Sequence, residues 1–310
     1  MPKAPRRPPA LRGRIFRGSA AISGGLLTRN DLRSSAWRPL FRDVYADASI
    51  RVSHPHRCGA VIRWLVPAGT AIAGRSAAAL YGVAATSPED PIDVLVPTGA
   101  DRPSPAPSSR RRGPVKGLRV HHADVCPDDV VERSGLPVTS PARTCWDLAR
   151  WLDVVEAVVV IDALLARRVV TLAALHRYAL DRAGERGWRA LLRAAGLADA
   201  GAESPQESRT RVRLVLAGLP RPQTQWIVTA AGRFVARLDL AWPEFKVAVE
   251  YDGQWHDEPG QLHRDRRRLN RLLGDDWIVL HVTSRRLRDD FDGFLAEVRA
   301  ALRSRGYRRR

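Results

Sequence analysis

Residues 237–256 read RLDLAWPEFKVAVEYDGQWH, two runs of alternating apolar and polar residues joined by Trp242-Pro243-Glu244. Alternation at period two predicts a pair of strands, because successive side chains of an extended chain point to opposite faces. On the first run Leu238 and Leu240 share one face, and Arg237 and Asp239 the other. On the second, Val247, Val249 and Tyr251 share a face, while Lys246, Ala248, Glu250 and Asp252 take the opposite one. Paired antiparallel, the two strands turn Asp239, Glu250 and Asp252 in one direction. Crowded carboxylates repel and raise one another's pKa, so a fold avoids the arrangement unless a cation offsets it. Oxygen ligands of this kind suit Mg²⁺ or Mn²⁺. The competing reading pairs these acids with the chain's many arginines on a solvated sheet face.

The flanks extend the pattern. Glu203 to Leu216 is a predicted helix, with Ser204 at its cap and Pro205 at its first position. Strands are expected over 224–230, 233–240 and 246–252, a polar helix over 262–273, a buried strand over 277–282 and an amphipathic helix over 291–303. Toward the N-terminus, TAIAGRSAAALYGV (residues 70–83) predicts an alanine-rich helix ending at Gly82. Ile92–Val96 and Leu118–His122 predict strands, separated by a Pro-, Ser- and Arg-rich loop over 101–117. Thr139-Ser140-Pro141 caps a helix with Cys145, Leu148, Leu152 and Val155 at helical spacing, and further helices follow over 154–167 and 172–181. Leu26–Tyr45 suggests a helical turn and a small hairpin, either a shortened winged helix or an N-terminal packing element.

The 310 residues carry 51 Lys plus Arg against 33 Asp plus Glu, a net charge of +18. Such a field attracts polyanions, of which nucleic acid is the commonest, although Arg-rich codon usage produces the same composition. Candidate phosphate contacts are Arg110, Arg111 and Arg112 in the loop and the basic arm at residues 1–17. At 45% apolar residues the chain supports sizeable cores, which excludes wholesale disorder. No stretch has the roughly 18–20 apolar residues of a membrane helix. The opening MPKAPRRPPALRGR is basic and lacks an apolar segment, so no secretory leader is expected. Cys58, Cys126 and Cys145 stand far apart, which predicts reduced thiols in a cytoplasmic protein and no zinc knuckle.

The C-terminal half resembles the PD-(D/E)XK nucleases, in the branch related to the very-short-patch-repair endonuclease. Ser204-Pro205-Gln206-Glu207-Ser208, Arg237 with Asp239, Val249-Glu250-Tyr251-Asp252-Gly253, His256 and Arg264-Asp265-Arg266 carry the likeness, over roughly residues 203–300. The resemblance implies a restriction-endonuclease-like α/β/α core with a mixed sheet, and DNA cleavage dependent on Mg²⁺ or Mn²⁺. Asp239 and Glu250 would hold the ion, and Glu207 would complete its shell, directly or through water. The motif lysine is absent, and Asp252 takes its position. His256 then becomes the candidate general base, since its side chain titrates near neutrality. Arg237 and Arg264 are expected at phosphates.

LLTRNDL, Val44-Tyr45, AIAGRSAAALYGV and LPVTSPARTCWDLAR are similar to the antitoxin-like region of AbiEi-family proteins. That likeness implies DNA contact or autoregulation without catalysis. The sequence therefore predicts an α/β chain, α+β overall. A basic flexible arm is expected at 1–17, an α-rich AbiEi-like domain at 18–198 and a nuclease-like domain at 199–310. The expected function is divalent-metal-dependent DNA cleavage. The alternative is a catalytically inactive, antitoxin-like DNA-binding regulator. DNA is the expected partner, RNA the less favoured one, and no membrane is involved.

Overall fold

The computed structural model describes residues 5–98, 115–230, 232–252 and 276–308. The chain divides into two compact units, Met1–Trp151 and Leu152–Arg310. Both combine helices with sheet, in an α+β arrangement.

The first unit opens with a small antiparallel sheet of β1 (Ile15–Arg17), β2 (Trp37–Phe41) and β3 (Val44–Asp47), in the order β1-β3-β2, with helix α1 (Gly18–Ser23) beside it. Leu11, Phe16, Ala21, Leu27 and Trp37 form its core, and Phe16 meets Trp37 edge-on at 5.1 Å between ring centres. The flexible arm expected over residues 1–17 does not hold over residues 9–17, which are built into this sheet and its core. Leu11 and Phe16 are buried, and Asp47 ties the segment down by accepting the Gly13 N–H at 2.8 Å. Turn hydrogen bonds to Asp47, above all from Ser49, hold its carboxyl below the ordinary carboxylate range despite burial.

Helix α2 (His54–Trp64) follows, started by a reciprocal cap between Ser53 and His56. No element is expected there from the sequence reading. A five-stranded sheet comes next, built from β4 (Ala71–Ile72), β5 (Ile92–Pro97), β6 (Leu118–Ala123), β7 (Val130–Arg133) and β8 (Leu136–Thr139) in the order β6-β5-β4-β8-β7. Helices α3 (Gly74–Leu80) and α4 (Pro141–Trp151) complete the unit. The α-rich character expected of the N-terminal half is thus confined to part of it. β4, β7 and β8 are two to four residues long, too short for alternation to reveal them. Cys58 and Cys145 are buried and Cys126 is exposed, all three free.

The helix expected from residue 70 starts only at Gly74, because Ala71–Ile72 is a strand and Gly74 turns the chain with φ +53°. A Cβ on Gly74 would lie 2.9 Å from Trp151 Cζ3 and 3.2 Å from Asp93 Oδ2. Gly74→Ala should accordingly cost about 1–3 kcal/mol through the left-handed backbone alone, with the Trp151 clash added. Urea unfolding of the variant measures it, and an unchanged midpoint would contradict this packing.

The second unit begins with helices α5 (Val154–Ala166), α6 (Leu172–Asp181), α7 (Trp188–Leu197) and α8 (Pro205–Leu216). The sheet follows, β9 (Gln223–Ala230), β10 (Arg233–Trp242), β11 (Val247–Asp252) and β12 (Ile278–Thr283), ordered β12-β11-β10-β9. Pairing is antiparallel except between β11 and β12, which run parallel, so the sheet is mixed. Helices α9 (Ser284–Asp289) and α10 (Phe291–Ser304) close the described chain. Leu214 of α8, Leu240, Trp242, Val249 and Val282 of the sheet, and Phe294, Val298 and Leu302 of α10 make one apolar core.

The domain boundary expected at residue 198 lies inside this unit, where a buried polar knot joins α5 to α8. Asp162 accepts Arg211 Nη2 at 2.7 Å, Ser208 Oγ at 2.6 Å and the Asp199 N–H at 2.7 Å. Burial pushes the Asp162 carboxyl up, and Arg211 opposes the shift. Among the described residues no helix is long and apolar enough to cross a membrane.

Candidate carboxylate site and nucleic-acid interface

Four of the expected site residues lie on neighbouring elements of the second unit. β10 and β11 pair at Leu240–Val249, Ala241–Ala248 and Trp242–Val247. That ladder stops one residue short of Asp239 and Glu250. At this point a side chain replaces the backbone ladder, because Asp239 Oδ2 accepts the Tyr251 N–H at 2.9 Å. Glu250 is buried, and its register partner on β12 is His281.

Glu207 stands in the first turn of α8, where Ser204 Oγ caps the helix by accepting the Glu207 N–H at 3.2 Å. Its carboxylate accepts the Glu203 N–H and the Gln225 side-chain amide, each at 2.9 Å. Burial pushes the Glu207 carboxyl up, and the negative charge of Asp239 acts in the same direction. Glu207 and Asp239 thus lie within electrostatic reach of each other.

Asp252 pairs with His281, the residue in register with Glu250. Its Oδ1 lies 3.0 Å from His281 Nδ1, a carboxylate–imidazole pair across the parallel strands. Among the described residues no set of three or more His, Cys, Asp or Glu is placed to hold a metal ion. Glu207 and Asp239 each accept N–H donors through one carboxylate oxygen, and Asp252 is engaged by His281.

His256, Arg264 and Arg110–Arg112 lie outside the described residues. Arg237 is placed, but it forms a surface ion pair with Glu203 at 2.8 Å and would have to leave it to meet a phosphate. Sequence reasoning missed His281 and Gln225. His281 is the one polar residue in the run Ile278–Val282, and a polar group inside an apolar strand signals a partner. Gln225 carries no such signal, since its role depends on where α8 starts.

The first unit presents a different surface. Residues 6–51 hold ten arginines and only three aspartates, and those aspartates are spent locally. Asp31 accepts the Thr28 N–H and hydroxyl, Asp43 accepts the Ser19 N–H and hydroxyl, and Asp47 accepts Gly13 and Ser49. Arg12, Arg14, Arg17, Arg38, Arg42 and Arg51 are exposed on this scaffold. Arginine contacts to phosphate position a nucleic acid without reading its bases.

Residues 70–199 match the family model of the AbiEi antitoxin C-terminal domain. This stretch is AbiEi-like. The AbiEi-like region runs from β4 to just past α7 and holds two of the strings that carried the resemblance, AIAGRSAAALYGV and LPVTSPARTCWDLAR. LLTRNDL and Val44-Tyr45 precede it. Two uncharacterized proteins of Mycobacterium tuberculosis, MT2308 (strain CDC 1551 / Oshkosh) and Rv2248 (strain ATCC 25618 / H37Rv), are each 32% identical over 173 residues. That match covers 56% of this chain and 63% of each relative, less than two thirds of their length. The crystal structure of the Rv2827c protein from the same organism aligns with 73% of this chain and 91% of its own, at 17% identity and a TM-score of 0.39. That likeness is too low to bear on the site.

Proposed function

We propose that this chain is a DNA-binding regulator of the antitoxin type. The observation that carries the reading is the AbiEi-like region at residues 70–199. The charge supports it: a net +18, with exposed arginines crowded into the first fifty or so residues and their aspartates tied up in turns. Guanidinium groups on such a surface displace condensed counterions from the duplex, and the release of those ions drives association. In this reading the acids of the second unit are structural. Asp239 satisfies an N–H where the β10–β11 ladder ends, and Glu207 satisfies the Glu203 N–H ahead of α8.

A second reading, a metal-dependent DNA endonuclease, is favoured by one observation, Asp239 bonded to the Tyr251 N–H next to Glu250 in sequence, with Glu207 within electrostatic reach. Under it, Asp239 and Glu250 would supply oxygen ligands, and the ion would need a further ligand beyond them.

One assay separates the two. Purified full-length chain is incubated with supercoiled plasmid, with structured RNA as a parallel substrate, and with Mg²⁺ or Mn²⁺. The expected result is retarded plasmid that stays intact, for the wild type and for Asp239→Ala alike. Nicking by the wild type that disappears in Asp239→Ala would replace the regulator with the endonuclease. Neither retardation nor nicking would remove both.

A further inference from the structure

A cavity of about 500 Å³ opens in the N-terminal part of the first unit, between α1, the turn at Asp31–Arg33 and the β2–β3 hairpin. It is the size of many small-molecule sites. Its floor is apolar, from Ile22, Leu32 and Tyr45. Gly18 brings α1 down onto that floor, since a Cβ there would lie 2.6 Å from Tyr45 Cε2 and 2.9 Å from Leu32 Cδ1.

Two exposed guanidinium groups, Arg29 and Arg33, line the same cavity, and neither has an ion pair or hydrogen bond within the described chain. This sets them apart from Arg143, Arg209 and Arg211, each of which is held by a carboxylate. The cavity also holds one acid, Asp43, but its oxygens already accept the Ser19 N–H at 2.7 Å, the Ser19 hydroxyl at 2.6 Å and Arg17 Nε at 3.3 Å. The charge of Asp43 is partly offset by Arg17. An apolar floor beside two uncommitted guanidinium groups fits a ligand with a flat ring at one end and a phosphate at the other.

We propose that this cavity binds a nucleoside phosphate, its ring over Leu32 and Tyr45 and its phosphate on Arg29 and Arg33. The site is independent of the DNA-binding reading. Two sources supply the same chemistry, a free nucleotide and the phosphorylated end of a single strand.

Isothermal titration calorimetry of the full chain tests it with four probes: AMP, adenosine, and a trinucleotide with and without a 5′-phosphate. AMP is expected to saturate one site, and adenosine to bind about tenfold weaker or worse for want of the charge-assisted contacts. The double variant Arg29→Ala/Arg33→Ala removes only exposed side chains, so it should melt like the wild type while losing at least about tenfold in AMP affinity. A 5′-phosphorylated trinucleotide that binds tighter than AMP, and tighter than its 5′-hydroxyl form, assigns the site to strand ends. Equal or weaker binding than AMP assigns it to free nucleotide. No heat from AMP at millimolar concentration, or AMP binding unchanged in the double variant, would overturn the proposal.

Discussion

Arg211→Ala should lose about 3–5 kcal/mol of stability, the cost of leaving a buried charge without its partner. Arg211 is fully buried, and its Nη2 lies 2.7 Å from Asp162 Oδ2. Removing the guanidinium leaves the Asp162 carboxylate with Ser208 Oγ and the Asp199 N–H but no cation. Urea unfolding monitored by tryptophan fluorescence measures the loss. Replacing both partners, Arg211→Met with Asp162→Leu, should recover most of it, because a pair of apolar side chains needs no compensating charge. The single variant should also suffer less in acid. Burial has already raised the Asp162 carboxyl, and a carboxyl raised in the folded state favours folding most at low pH and loses that advantage as pH rises through its folded value. A single variant within about 1 kcal/mol of the wild type would show that water reaches the site and solvates Asp162.

DNA affinity should fall about a thousandfold between 50 and 200 mM salt, as expected when six or more phosphates are neutralised. Fluorescence anisotropy with a labelled duplex gives the slope of log affinity against log salt. Arg14, Arg42 and Arg51 are exposed on the N-terminal surface. Changing all three to Ala should reduce the slope by about 0.9 for each phosphate no longer neutralised, roughly 2–3 in all. The wild type and the variant should remain equally folded, since none of the three is buried. A flat salt response in the wild type would exclude phosphate-driven binding by this surface, and the regulator reading with it.

Legibility in the sequence follows the range of the interactions involved. The strands at Ile92–Pro97 and Leu118–Ala123 and the helices at Pro141–Trp151, Val154–Ala166 and Pro205–Leu216 are readable from alternation, helical spacing and caps, all local signals. β4 is not, because two residues carry no period. α2 goes unread although Ser53 and His56 form its cap, and α7 is hidden in an Ala- and Gly-rich stretch whose composition reads as a domain end. At the carboxylate site, counting residues along two strands gives an expected facing for Asp239 and Glu250 but no partners; that Asp252 meets His281 depends on β12, which pairs in parallel with β11.

By itself the sequence determined the mixed helix and strand content, the excess of positive charge and the AbiEi-like stretch. Tertiary structure alone decided which charges are spent. Arg211 is consumed by Asp162, Arg237 by Glu203 and Asp252 by His281, while Arg29 and Arg33 line a cavity and pair with no acid among the described residues. The reason is that a side chain's charge is written in its residue type, whereas its partner is set by which distant segments the packed core brings within about 4 Å.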